Sequence, residues 1–217
     1  MSLKSSFRTL VTLGTGVVQG IPEAADDRDP IELFKEWFKA ARDSGLFMPE
    51  AMSVATATAD GAPSVRMLLL KTVDERGFVF YTNYGSRKAE DLESNPRAAL
   101  CFHWAILERQ VRVEGVVERV SHEESFAYYS SRLRGSRIGA WASRQSRPLA
   151  SREELEERVR RFEKEYPGHE VPLPPFWGGY LLRPTAMEFW QGKASRLHDR
   201  LVFRRGEGRW ETVRLYP

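Results

Sequence analysis

The 217-residue chain has a single cysteine, Cys101, so it forms no internal disulfide and suits a reducing, cytoplasmic setting. Cys101 lies in the apolar run AALCFHW, where a buried structural thiol is expected and a nucleophile is not. No run reaches the roughly 18 to 20 apolar residues of a membrane span. The net charge is only +3 and the two signs are interleaved, which argues against a polybasic nucleic-acid arm. His103, His122, His169 and His198 show no metal-ligand spacing to one another or to the cysteine, so no metal is expected. There is no G-x-S-x-G nucleophile elbow and no P-loop. Paired carboxylates, as at Glu153-Glu154 and Glu156-Glu157, occur only in charged helical segments, where solvation explains them.

Acid is also missing from the start of the chain. MSLKSSFRTLVTLGTGVVQGIP carries Lys4 and Arg8 but no acid before Glu23. No apolar core with a small-residue cleavage site follows, so residues 1–28 read as a mobile arm. Within it, GTGVVQG places its third glycine one position late for a dinucleotide loop. Residues 29–217 read as one domain, long enough to bury a core.

What is present is mostly strand. A helix is expected over about Asp29 to Asp43, with Asp29 as cap, Pro30 at the first position and Gly45 as stop. Ile31, Phe34, Trp37, Phe38 and Ala41 share its apolar face. AMSVATAT, PSVRMLLLK and FVFYT follow as short strands with turn residues between them. SRKAEDLESNP reads as a short helix, and RAALCFHW and RQVRVEGVVERV as strands. Ser121 with Glu124 and Ser151 with Glu154 open two more helices. GGYLLRP, AMEFWQ, RLVFRR and RWETVRL close the chain as strands. Strands and helices do not alternate, which predicts an antiparallel barrel with helices packed outside it.

Several stretches could grip an anion. Ser86 as a helix cap places Arg87 and Lys88 in a first turn, where free N–H groups and two cations make a phosphate cradle. Solvated side chains are the even alternative. Arg66 and Lys71, an odd number of positions apart, lie on opposite faces of a regular strand, so they would serve two different anions or one of them would be a surface charge. Tyr128 and Arg132 are helix neighbours, with Ser136 beyond Gly135, which reads as the end of that helix. Together they offer two hydroxyls and a guanidinium fork. Gln145-Ser146 and Gln110 suit either a heterocycle edge or a capped loop.

RMLLLK, FYTNYGSRKAEDLESNPRAAL, ERQVRVEGVVERVS, SRLRGSRIGAWASRQS, VPLPPFWGGY, EFWQG, RLHDR and RLYP, in this order, resemble the pyridoxine (pyridoxamine) 5′-phosphate oxidase family from about residue 50 to 217. The resemblance implies a mainly antiparallel, FMN-binding split β-barrel with peripheral helices, acting as a homodimer with the flavin at the subunit interface. It implies oxidation of pyridoxine 5′-phosphate or pyridoxamine 5′-phosphate to pyridoxal 5′-phosphate, with O2 as the final acceptor. FMN would be held by Arg66, Met67, Leu68, Leu69, Leu70 and Lys71, by Tyr81, Thr82, Arg87 and Lys88, and by Gln110, Gln145, Ser146, Trp190 and Arg200. The substrate phosphate would fall to Lys71, Tyr128, Arg132 and Ser136. Arg196, Leu197 and His198 would lie over the pyridine ring, with Arg196 and His198 catalytic. FRTLVTLGTGVVQGIPEA does not match the family's stretch before the first helix, which helps to cover the substrate. Alternative readings are an FMN-dependent oxidase of another substrate, as in the phenazine-pathway oxidases, or a non-catalytic flavin or pyridoxal phosphate carrier.

In WQGKASRLHDR, residues 190–200, an extended chain would put Arg196, His198 and Arg200 on one face. The resemblance splits that row, giving Arg196 and His198 to the substrate and Arg200 with Trp190 to FMN.

Overall fold

A computed structural model describes Ile21 and residues 28–217. The expected arm, including GTGVVQG, lies outside the described residues apart from Ile21 and Arg28. Helix α1 spans Pro30–Asp43, where the Asp29 carboxylate accepts the Ile31 N–H at 2.8 Å. Gly45, at φ +76°, follows its C-terminal cap in the left-handed conformation that glycine tolerates best.

Nine strands follow: β1 (Ala51–Ala57), β2 (Pro63–Leu69), β3 (Thr72–Asp74), β4 (Gly77–Asn83), β5 (Arg97–Trp104), β6 (Arg109–Arg119), β7 (Trp177–Gln191), β8 (Asp199–Arg205) and β9 (Trp210–Leu215). Their pairings are antiparallel, in the order β2-β1-β5-β6-β7-β4-β3, with β8 and β9 continuing from the far part of β7. The two ends of that order, β2 and β3, are joined by Leu70 and Lys71 alone. The Leu70 N–H donates to Glu50 O and the Lys71 N–H to Val79 O, each at 2.9 Å. So short a link holds the two ends of the sheet together, and the sheet is curled into a half-barrel.

The inward face is apolar at every second position, as on Met52 and Val54, Leu100, Phe102 and Trp104, or Val111 and Val113. Helix α1 packs into this face. Phe34 meets Phe78, Phe102 and Trp104 at ring separations of 4.8, 4.9 and 5.9 Å, and Trp37 meets Phe189 edge-on at 5.3 Å.

Four more helices lie outside: α2 (Arg87–Ser94), α3 (His122–Ser131), α4 (Arg134–Ala142) and α5 (Arg152–Glu165). The Ser121 and Ser151 hydroxyls cap α3 and α5 as the sequence predicts, accepting the N–H of Glu124 and Glu154. Helix α4 departs from expectation. Gly135 does not end a helix but sits in the first turn of a new one, where its cost is small, and Ile138 and Ala142 bury the face that follows. GGYLLRP and AMEFWQ also depart, because they form one strand. Pro184 lacks the N–H that a ladder needs, and the β6–β7 register shifts beside it, between Glu114 and Gly115. A Cβ on Gly115 would stand 2.0 Å from Arg183 O, so this crossing requires glycine. The shift changes which residues of β7 face the core, from Tyr180 and Leu182 before it to Met187 and Phe189 after it.

Phe34 is fully buried at the meeting of helix and sheet. Phe34→Ala is expected to lower the unfolding free energy by about 3–5 kcal/mol, read by chemical denaturation.

Candidate functional site

A cleft of about 830 Å³ opens where β2 leaves the sheet, β4 ends, β7 begins and α3 meets α4. Met67, Leu68, Leu69, Lys71, Tyr81, Thr82, Tyr128, Arg132, Ser136 and Gln145 line it, ten residues singled out from the sequence. Among the described residues no carboxylate lines it, and its cations are Lys71 and Arg132. Each cation rests on an aromatic face: Lys71 Nζ lies 5.9 Å from the Tyr128 ring, and the Arg132 guanidinium 4.7 Å from that of Trp177. Tyr81 and Tyr128 stack at 4.0 Å and 19°. Burial, then the nearby Glu124 carboxylate, pushes the Tyr81 phenol up to about 12, so it stays a neutral O–H.

Tyr128, Arg132 and Ser136 meet here because the helix breaks between them. Arg132 caps the end of α3, and Ser136 lies in the first turn of α4, its N–H donating to Leu133 O at 2.9 Å. Arg132 Nη1 is buried without a hydrogen-bond partner.

A second cationic group stands at the start of α2. Lys88 is 6 % exposed, and its ammonium donates to Gln145 Oε1 at 2.8 Å and to the hydroxyls of Thr82 and Ser86 at 3.1 Å. No carboxylate neutralises it. Burial, then the Arg66 charge, lowers its pKa to about 8. The charges of Arg66 and Arg87 act on each other, and Asp91, which accepts from Thr56 and Ser64, lies 3.8 Å from Arg66. Arg66 therefore turns to this group while Lys71 turns to the cleft; β2 ends at Leu69, so Lys71 lies beyond the regular strand in which their odd spacing was counted. Ser86 does stand at the cap position, but its hydroxyl donates to Asn83 O and leaves the first turn of α2 without a side-chain cap.

Gln110, Trp190 and Arg200 form a third group, abreast on β6, β7 and β8. His198 packs on Trp190 at 4.6 Å, and its Nδ1 accepts the Lys193 N–H at 3.2 Å. The expected extended row does not form. Ala194–Arg196 make a 3₁₀ turn, Ser195 and Arg196 have φ of 58° and 62°, and β8 begins only at Asp199. Arg196 and Leu197 project to solvent, while Arg200 is bound twice by Glu188 and donates to Tyr216 O. Glu188 also pairs with Arg112. Burial raises the Glu188 carboxyl, but the hydrogen bonds from Arg200 and Arg112 outweigh it and hold its pKa below the usual range.

Other candidates sit apart from the cleft. The Leu70 side chain is in the core, and Ser146 is exposed with φ 69°. Conversely, Asn83, Ser143 and Trp177 line the cleft and were given no role from the sequence. Trp177 lay within the quoted run VPLPPFWGGY, but its aromatic partners Tyr81, Tyr128 and Tyr129 are far away in sequence.

Residues 38–165 match the sequence model of a family described as pyridoxamine 5′-phosphate oxidase, and residues 177–217 one described as the pyridoxine 5′-phosphate oxidase C-terminal dimerisation region. The chain belongs to the pyridoxamine 5′-phosphate oxidase family. Among oxidases of this family, it is 56 % identical to the pyridoxine/pyridoxamine 5′-phosphate oxidase of Psychromonas ingrahamii over 217 residues, the whole of both chains. It is 58 % identical to that of Rubrobacter xylanophilus over 198 residues, 91 % of each chain. Among solved structures it resembles PhzG from Burkholderia lata, in complex with tetrahydrophenazine-1-carboxylic acid, with a TM-score of 0.84 and 32 % identity over 90 % of this chain and 95 % of that one. A pyridoxamine 5′-phosphate oxidase-related, FMN-binding protein from Nostoc punctiforme shares the fold, with a TM-score of 0.71 and 18 % identity over 88 % of this chain and 99 % of that one. The split barrel expected from the sequence is the fold of this oxidase family.

The buried charge of Lys88 has a measurable cost. Between pH 8 and its ordinary 10.5 the unfolded chain holds a proton that the folded chain has lost, so this residue's contribution to stability rises with pH across that window. Lys88→Met is expected to raise the unfolding free energy of the ligand-free protein by about 1–3 kcal/mol at pH 7. In denaturant titrations at several pH values, that gain should shrink toward pH 10.5.

Proposed function

We propose that the chain oxidises pyridoxine 5′-phosphate or pyridoxamine 5′-phosphate to pyridoxal 5′-phosphate, with FMN as cofactor, as a homodimer. The observation that carries this reading is the cleft free of carboxylates in which Lys71, Tyr128, Arg132 and Ser136 converge beside a second cationic group. Two phosphate-bearing ligands need two anion sites. The unpartnered Nη1 of Arg132 suits one phosphate, and the Lys88 ammonium, with Arg66 and Arg87 near it, suits the other. FMN, held with its phosphate at Lys88, Arg66 and Arg87, would supply the two-electron oxidation of the substrate at C4′ with O2 as final acceptor, so that the alcohol would give aldehyde and hydrogen peroxide and the amine would also take up water and release ammonia. The chain's own residues bind and orient. Anchoring the substrate phosphate on four groups would orient its C4′ toward the bound cofactor. Thr82 and Gln145, joined at 3.1 Å, bridge the cleft and the Lys88 cluster.

The length of β7 supports the homodimer. Trp177 lines the cleft at its start and Trp190 belongs to the third group near its end. Thirteen residues at about 3.3 Å each give roughly 40 Å of strand. Gln110, Trp190, Arg196, His198 and Arg200 of one copy would therefore complete the cleft of the other. The match of residues 177–217 to a dimerisation region supports this arrangement.

The likeness to PhzG supports a second reading, an FMN-dependent oxidase of another anionic substrate. The four-membered phosphate grip favours the vitamin B6 phosphates. Anaerobic mixing of the flavin-loaded protein with pyridoxine 5′-phosphate should bleach the flavin absorbance. A flavin that stays oxidised would overturn the proposed reaction. The third group should divide by role. Replacing Arg196 or His198 with Ala should lower turnover at least tenfold while flavin is retained, whereas Arg200→Ala should loosen the flavin. Equal flavin loss in all three variants, measured after gel filtration, would refute that division.

A further inference from the structure

No carboxylate holds Arg132. Its guanidinium lies 4.7 Å from the Trp177 ring and 5.9 Å from that of Tyr129, and its Nη1 is buried with no hydrogen-bond partner. Trp177 is itself fixed in place. It is 8 % exposed, nearly parallel to Tyr81 and Tyr128 at 10° and 9°, and edge-on to Tyr129 at 5.3 Å. A carboxylate in its place would also fix the arginine, but it would cancel the charge and occupy two donors. An aromatic face attracts the cation through its quadrupole and leaves the N–H groups for an incoming anion.

We propose that Trp177 is a positioning residue that acts through Arg132, holding the guanidinium oriented and electrically unneutralised, and so sets the affinity for the substrate's phosphate. The inference rests on the reading of Arg132 as the phosphate grip. Trp177 takes no part at the reacting atoms, so its removal should act on binding and not on the chemical step.

The test uses flavin-loaded wild type, Trp177→Leu, Trp177→Phe, Arg132→Ala and the double variant Trp177→Leu/Arg132→Ala. For each, KM and kcat for pyridoxine 5′-phosphate are measured per bound flavin, together with competitive inhibition by inorganic phosphate. Trp177→Leu is expected to raise KM and the phosphate inhibition constant by about tenfold, with kcat within about twofold of wild type. Trp177→Phe keeps a weaker aromatic face in the same slot and should show an intermediate rise of about threefold, so the comparison holds if the leucine variant misfolds. In the Arg132→Ala background the leucine substitution should add nothing further. A rise in KM for Arg132→Ala but not for the Trp177 variants would overturn this inference and leave the proposed reaction standing. So would additive effects in the double variant, or an equal fall in kcat and flavin content. An Arg132→Ala enzyme with unchanged KM would sink the phosphate-grip reading itself, and this inference with it.

Discussion

Two residues, Leu70 and Lys71, join the ends of the strand order and hold the nine-stranded sheet as a half-barrel. The Leu70 N–H extends the β1–β2 ladder to Glu50 and the Lys71 N–H extends the β3–β4 ladder to Val79, so the chain stays tied to both ends of the sheet as it crosses between them. Along this link Leu70 drops into the core and Lys71 is carried outward over Tyr128. The same closure fixes β4, which carries Tyr81 and Thr82 into the cleft. The aromatic side chains of α1 fill the space that the curl creates, so barrel, core and cleft share one origin.

The site built on this frame concentrates positive charge and withholds acid. Lys71 and Arg132 rest on rings, and Lys88 is held by an amide and two hydroxyls. Asp91 stands 3.8 Å from Arg66 of the second group, and Thr56 and Ser64 donate to its carboxylate. Neutral holders orient cations without cancelling them. The third group follows the opposite rule: Glu188 engages both Arg112 and Arg200, leaving the pair with one net charge. Unneutralised positive charge thus belongs to the cleft and the start of α2, while the third group offers oriented rings and amides.

Local pattern made much of this legible. Helix α1, the serine caps of α3 and α5 and the alternation in β6 are short-range signals, and they read correctly. Gly135 misled because glycine near a helix start looks the same in sequence as glycine past a helix end, and only packing distinguishes them. The row at Arg196, His198 and Arg200 failed for a related reason. Alternation predicts a strand only where a neighbour supplies a ladder, and Ala194 to Arg196 pair with none. Trp177 went unassigned because its meaning lies in rings and a guanidinium contributed by other elements. The family motifs brought the cleft residues together by number, but they carried no sign of which neutral groups would hold the cations.

The irregularity at Pro184 reaches further than its own rung. Trp177 and Trp190 are an odd number of positions apart, so a regular strand would send one to the core and the other to the surface. The register shift adds one to the count, and both end on the outer side, with Tyr180 and Leu182 inward before it and Met187 and Phe189 inward after it. Strand β7 is in this sense a ruler with a parity error built in. Pairing every residue of β7 in one continuous register would keep its composition and hydrophobicity, yet it would invert every side chain on one half. The two functional regions at its ends are tied to each other by arithmetic as well as by distance.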